Sequence, residues 1–171
     1  MLKDELINCG AVLFGEFTLT SGAKSSYYVD IKKASTNPGV LKKVAKEMAA
    51  HVDGIDMIAG MELGAVPIAV AVALETGKPY VIIRKGERTH GTGKQIEGDP
   101  VAGKRVLIVE DVTTSGGSTI KSVEILRDAG ASVDKALVVV DREAGAIPKL
   151  ADMGVNLIPM VTVKELLKGR S

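Results

Sequence analysis

Short, largely apolar runs recur along the chain at Ile55 to Ala59, Pro79 to Ile83, Val106 to Val109 and Ala136 to Val140. They are too short for helices and rich in β-branched side chains, so they predict buried strands. Between them the apolar spacing changes to three and four. Leu41, Val44, Ala45, Met48, Ala49 and Val52 form one stripe opposite Lys42, Lys43, Lys46 and Glu47, and Asn37-Pro38 marks the start of that helix. Ala65 to Glu75 and Ile120 to Ala129 read as two further helices, the second stopped by Gly130. At the N-terminus a helix to Leu13 is expected to precede short strands at Phe17 to Leu19 and Tyr27 to Ile31. At the other end, Gly145 to Met153 reads as a short helix, Val155 to Val161 as an edge strand carrying Pro159, and Thr162 to Lys168 as a closing helix. The repeated order of strand, loop and helix predicts an α/β fold, an open parallel twisted sheet flanked by helices. A length of 171 residues suits a single domain.

Composition narrows the partners. A net charge of +1 gives no basic footprint for nucleic acid, and two Phe, three Tyr and no Trp supply few rings for stacking on bases. One cysteine forms no internal disulfide, and Cys9, set among Leu6, Ile7, Val12 and Leu13, reads as a small hydrophobe. His51, at the end of the second helix, reads as a capping or solvated group. No apolar run approaches the ~20 residues that span a bilayer. The segment MLKDELINCG carries charges where a leader would carry an apolar core. A soluble protein of a reducing, cytoplasmic compartment is expected, without nucleic-acid or membrane partners.

The densest chemistry lies in RVLIVEDVTTSGGST, Arg105 to Thr119. The apolar run is expected to stop at two adjacent carboxylates, Glu110 and Asp111. A turn follows in which Thr114, Ser115, Gly116, Gly117 and Ser118 let backbone N–H groups converge at a helix N-terminus, where a phosphate monoester fits. Carboxylates at the end of a parallel strand accept hydrogen bonds from sugar hydroxyls or a magnesium-bound water. Together these features ask for a phosphorylated sugar. A tight turn with packing glycines is the plainer reading, but two glycines, three hydroxyls and two carboxylates exceed what a turn needs. No Gly-Lys-Ser/Thr is present, so this is not a Walker loop.

Two further elements seek anions. Residues 84–103 hold little that builds a core and read as a structureless lid. Within it Arg84, Lys85, Arg88 and His90 offer donors to phosphate oxygens, and Gly86, Gly91 and Gly93 permit hinge motion. A merely solvated loop is the alternative. Arg142 follows the strand at Ala136 to Val140, which in a parallel sheet places it at the same edge as Glu110 and Asp111. An arginine there grips a carboxylate through two parallel N–H bonds, or else pairs with a nearby acid. The loop Gly60 to Gly64 repeats the strand, glycine, helix plan. It reads either as a second anion nest or as a close helix-to-sheet turn.

Arg105 to Thr119 resembles the phosphoribosyl-pyrophosphate (PRPP) signature of type I phosphoribosyltransferases. FGEFTLTSGAKSSYYVD resembles the N-terminal hood of orotate phosphoribosyltransferases, where Ser-Gly-x-Lys-Ser-x-Tyr covers the base. The lid resembles their pyrophosphate-binding Arg-Lys-x-x-Lys/Arg-x-His-Gly element. The resemblance spans essentially the whole chain. It implies the type I phosphoribosyltransferase fold over residues 1–171, with a hood at 1–35 and a long mobile lid at 84–103. It implies transfer of the phosphoribosyl group of PRPP to orotate in pyrimidine synthesis. PRPP would be held by Arg84, Lys85, Arg88, His90, Glu110, Asp111, Val112, Thr113, Thr114, Ser115, Gly116, Gly117 and Ser118, with Lys85, His90 and Asp111 catalytic. Orotate would meet Thr114, Arg142, Lys24 and Tyr28, with Lys24 replacing a lysine that many bacterial relatives carry where Thr20 stands. Mg2+ would ride on PRPP near Glu110 and Asp111 rather than in a cage of protein side chains. A homodimer sharing lid residues is implied as well. A purine phosphoribosyltransferase would share the PRPP motif without the hood and the carboxylate-matching arginine, and a PRPP-sensing regulator would add a helix-turn-helix or a basic face.

Overall fold

The computed structural model describes residues 1–18, 22, 24–86 and 94–168. In chain order the elements are α1 (Leu2–Asn8), β1 (Val12–Thr18), β2 (Lys24–Val29), α2 (Ile31–Ser35), α3 (Pro38–Ala49), β3 (Met57–Met61), α4 (Ala65–Thr76), β4 (Tyr80–Ile83), β5 (Ile96–Glu97), β6 (Val106–Thr113), α5 (Gly117–Asp128), β7 (Lys135–Asp141), α6 (Ala146–Asp152), β8 (Asn156–Thr162) and α7 (Val163–Leu167). Six strands form one sheet in the order β5-β4-β3-β6-β7-β8, parallel except where β5 runs against β4. β1 and β2 form a separate antiparallel hairpin.

The period of two along each central strand divides the core. Leu107 and Val109 of β6, with Leu137 and Val139 of β7, pack on one face with residues of α1 to α4 and α7. Val106 and Ile108, with Ala136 and Val138, pack on the other against α5 and α6. Strands covered on both faces need no polar alternation, which is why they read as continuous apolar runs. The caps are local. Asn37 Oδ1 accepts from the Gly39 and Val40 N–H groups, and Thr162 with Glu165 forms a reciprocal capping box on α7. No helix among the described residues is long and apolar enough to cross a membrane.

The structure corrects several boundaries. β6 does not stop at the acidic pair: pairing with β7 continues through Val112↔Val140 and Thr113↔Asp141, so Glu110 and Asp111 are members of the ladder. The expected structureless lid is shorter than 84–103, because Ile96 and Glu97 pair with Ile83 and Ile82 and Val101 is buried. The first helix ends at Asn8, and Val12 and Leu13 begin the hairpin instead. The strand expected from Ile55 begins at Met57, since Ile55 closes a turn back onto Val52.

Sheet and helix approach most closely at Gly60. A Cβ there would lie 2.8 Å from the Ala65 carbonyl oxygen and 3.0 Å from the Ala69 Cβ. Gly60→Ala is therefore expected to lower the unfolding free energy by about 1–3 kcal/mol. Urea denaturation checks this as a lower midpoint at unchanged slope, and an unchanged midpoint would show that α4 moves aside without cost.

Candidate active site

Chain direction across the sheet reverses between β3 and β6. From β3 the chain leads to β4 on one side, and from β6 to β7 and β8 on the other. Open α/β sheets part at such a point, beyond the carboxyl ends of the strands. A cleft of about 450 Å³ lies there, with Met61, Glu62, Leu63 and Gly64 on one wall, Glu110, Asp111 and Ser118 on the other, and Lys32 and Lys85 completing it.

The two carboxylates are aimed by the strand. Glu110 is 5% exposed. It accepts from Ser118 Oγ at 2.8 Å and from the Asp111 N–H at 3.1 Å, which ties the end of β6 to the start of α5. Burial, a side-chain hydrogen bond shared with the Asp111 carboxylate and the charge of Asp111 push the Glu110 carboxyl up to about 8, which favours its protonated form near neutral pH. Asp111 turns the other way. Its Oδ1 accepts from the Val112 N–H at 2.8 Å, and its carboxylate lies where a side chain at Gly64 would sit. Gly64 is glycine because Asp111 occupies that space.

The loop after β6 leads into a helix N-terminus with no side-chain cap. Gly116 has φ 86° and packs against Ala146, where a Cβ would stand 3.3 Å from the Ala146 Cα. α5 begins without a side-chain cap, leaving its first N–H groups for a ligand. Thr114, Ser115 and Gly117 are exposed there. Thr119 is fully buried, so its side chain does not join them.

The root of the lid is held from two sides. The Lys85 N–H donates to Glu62 Oε1 at 2.8 Å, and the Lys121 ammonium donates to the Lys85 carbonyl at 2.9 Å. Arg84, expected on pyrophosphate, donates through Nε to Glu97 Oε1 at 2.7 Å and stands 4.0 Å from Glu62. Its guanidinium is engaged in the protein, while Lys85 lines the cleft. Arg88 and His90 lie outside the described residues.

At the end of β7 the Arg142 guanidinium lies over the Tyr27 ring at 5.5 Å. The guanidinium face is covered by the ring, and its N–H edge has no ion pair among the described residues. Alternation along β2 puts Lys24 and Tyr28 on the opposite, exposed side, with Tyr28 against Phe17 at 5.8 Å. The hood residue that meets the arginine is thus Tyr27.

Comparison with known proteins decides the family. The phosphoribosyl transferase domain family matches residues 31–164. The orotate phosphoribosyltransferase of Methanoculleus marisnigri is 56% identical over 164 residues, 96% of this chain and 95% of that protein. The chain belongs to the orotate phosphoribosyltransferase family. Its fold is that of a type I phosphoribosyltransferase. The crystal structure of the Aeropyrum pernix orotate phosphoribosyltransferase superposes with a TM-score of 0.86 at 40% identity, covering 98% of this chain and 97% of that one. The Mycobacterium tuberculosis H37Rv enzyme in complex with PRPP gives 0.81 at 28% identity, covering 97% and 99%.

Of the residues named from sequence, the structure gathers Lys85, Glu110, Asp111 and Ser118 around one cleft. It sets Arg142 at the neighbouring strand end and leaves Lys24 and Tyr28 facing outward. Sequence reasoning missed Lys32, Lys121 and the clamping role of Glu62, and it named Tyr28 for the base although the hood motif itself ends on Tyr27. Only Tyr27 carried a readable signal, the strand alternation that opposes it to Tyr28.

The Glu110 proton has a consequence for stability. The unfolded chain releases it near 4.5 and the folded chain near 8, so between those values the native state binds more protons and stability falls as pH rises. Glu110→Gln, which keeps the shape and removes the titration, is expected to flatten this slope and to be more stable than wild type near pH 8. Urea midpoints measured across the window check it. An identical slope in both proteins would show that Glu110 ionises normally.

Proposed function

We propose that this cleft transfers the 5-phosphoribosyl group of PRPP to orotate, giving orotidine 5′-monophosphate and pyrophosphate. The observation that carries the reading is the pairing of a helix N-terminus without a side-chain cap at α5 with an arginine edge, without an ion pair among the described residues, at the end of the neighbouring strand. The first suits the 5′-phosphate of PRPP and the second a base bearing a carboxylate. The 5′-phosphate sits on the N–H groups from Thr114 to Ser118, and the ribose hydroxyls lie against Asp111. The diphosphate lies toward Met61 to Gly64 and Lys85, with Arg88 and His90 of the lid as further donors. Orotate docks its carboxylate on Arg142 beside Tyr27 and Thr114.

Catalysis is positioning and electrostatics. The ring nitrogen of orotate forms a bond to the anomeric carbon as the carbon–oxygen bond to the diphosphate breaks, and the proton of that nitrogen is lost to the departing diphosphate. The electron pair leaves with the diphosphate, stabilised by Lys85. With Glu110 protonated, Asp111 is the anion that faces the positive charge developing on the ribose. Magnesium fits as a companion of the substrate. Asp111, with Glu110 behind it, can receive a substrate-bound ion, while the described residues assemble no cluster of three His, Cys, Asp or Glu to cage one. When bound, the ion neutralises charge on the leaving diphosphate.

A homodimer completes the proposal. Leu63, Val66, Pro67, Val70 and Leu74 form an apolar stripe along the outer side of α4, with Leu63 75% and Leu74 81% exposed. An uncharged stripe of this kind is unusual on a solvated helix face and is complementary to a second copy of itself. Leu63 borders the cleft, so a copy seated there lies beside the active site, as lid sharing requires.

Pyrophosphate release from PRPP is expected with orotate and not with hypoxanthine, guanine or adenine, and the reverse preference would overturn the assignment. Arg142→Ala is expected to raise KM for orotate about tenfold or more while changing KM for PRPP little. Equal effects on both would remove it as the carboxylate clamp. Leu74→Glu is expected to shift the protein to a monomer in sedimentation velocity, whereas a persistent dimer would exclude this face.

A further inference from the structure

We infer that Lys32 is a substrate-binding cation for the diphosphate of PRPP, an inference that deepens the functional reading above and rests on it. Lys32 stands in α2, directly after the hood. Ile31 and Ala34 of that short helix are buried in the core. The Lys32 carbonyl accepts from Ser35 Oγ and Thr36 Oγ1 at 3.2 and 2.7 Å. Its backbone is therefore fixed while the residue remains exposed, and it lines the cleft together with Glu62, Lys85, Glu110 and Asp111. The adjacent Lys33 does not line it and lies instead toward Gly10.

Three acids share the cleft with Lys32, yet it pairs with none of them among the described residues. Each acid is already engaged: Glu62 by the Lys85 N–H, Glu110 by Ser118 and the Asp111 N–H, and Asp111 by the Val112 N–H. A lysine held to balance these carboxylates would close onto one of them. Arg84 is taken up by Glu97, so the unspent cations among the described residues lining this space are Lys32 and Lys85. The ligand they suit carries several negative charges on a small group, and an ammonium serves such a group as a point charge. The cleft includes Ser118 but not Thr114 to Gly117. Lys32 thus faces the diphosphate end of PRPP rather than its 5′-phosphate.

The test is steady-state kinetics and calorimetric titration with PRPP and with inorganic pyrophosphate, on the full chain and its Lys32→Ala, Lys32→Arg and Lys33→Ala variants. Lys32→Ala is expected to raise KM for PRPP and the inhibition constant of pyrophosphate about tenfold. KM for orotate and the thermal midpoint stay at wild-type values, Lys32→Arg recovers most of the loss, and Lys33→Ala behaves as wild type. Unaltered PRPP and pyrophosphate constants in Lys32→Ala, or an equal loss in Lys33→Ala, would overturn the inference while wild-type turnover upheld the functional reading. A wild-type chain that binds neither PRPP nor pyrophosphate overturns both.

Discussion

A carboxyl group kept out of water holds the site together. Glu110 joins the last turn of the phosphate loop, through Ser118, to the strand that carries Asp111. Buried as an anion it would repel both its neighbour and any phosphate placed on the α5 N-terminus. Buried as an acid it keeps its hydrogen bonds and adds no charge. The structure therefore has one acid that braces and one whose carboxylate turns into the cleft beside Gly64, although the two are adjacent in sequence and identical in chemistry. Their division of labour comes from the pleat of β6, which turns one toward α5 and the other toward α4.

The location of the cleft follows from strand order. β3 and β6 are neighbours whose connections depart in opposite directions, so no crossover helix covers the gap at their carboxyl ends. Small residues keep that gap narrow. Gly60 lets α4 settle on the sheet, and Gly64 gives Asp111 room at the start of the same helix. Because the Lys85 peptide is gripped by Glu62 from one wall and by Lys121 of α5 from the other, the chain just after β4 belongs to both walls of the cleft.

Much of this was legible in the chain. The central strands announced themselves because both faces are covered, so their buried stretches from Val106 to Val109 and from Ala136 to Val140 are continuously apolar. The Asn37 cap and the Thr114 to Ser118 loop use residue types whose local chemistry admits few other structures. The acidic pair was legible as chemistry but not as geometry, since a run that turns polar looks finished while its backbone still pairs with β7. β5 was hidden for a related reason: two residues of an edge strand leave almost no pattern, and Ile96 lies in a glycine-rich setting that reads as loop. Lys32, Glu62 and Lys121 were invisible because their meaning is tertiary. Each is an ordinary surface residue on its own element and acquires a role only from what the fold brings opposite it.

The contact between Arg142 and Tyr27 bears on how selectivity is distributed in free energy. A long guanidinium side chain free in solution must surrender several rotamers before it can hold a ligand, at a cost of about 0.5–1.5 kcal/mol for each such side chain. Lying over the Tyr27 ring at 5.5 Å, Arg142 has settled that entropy when the chain folds. With Arg142 in its proposed role as the carboxylate clamp, the hairpin is a splint for that arginine, and preparation of the base site begins in the folding of the N-terminal hairpin.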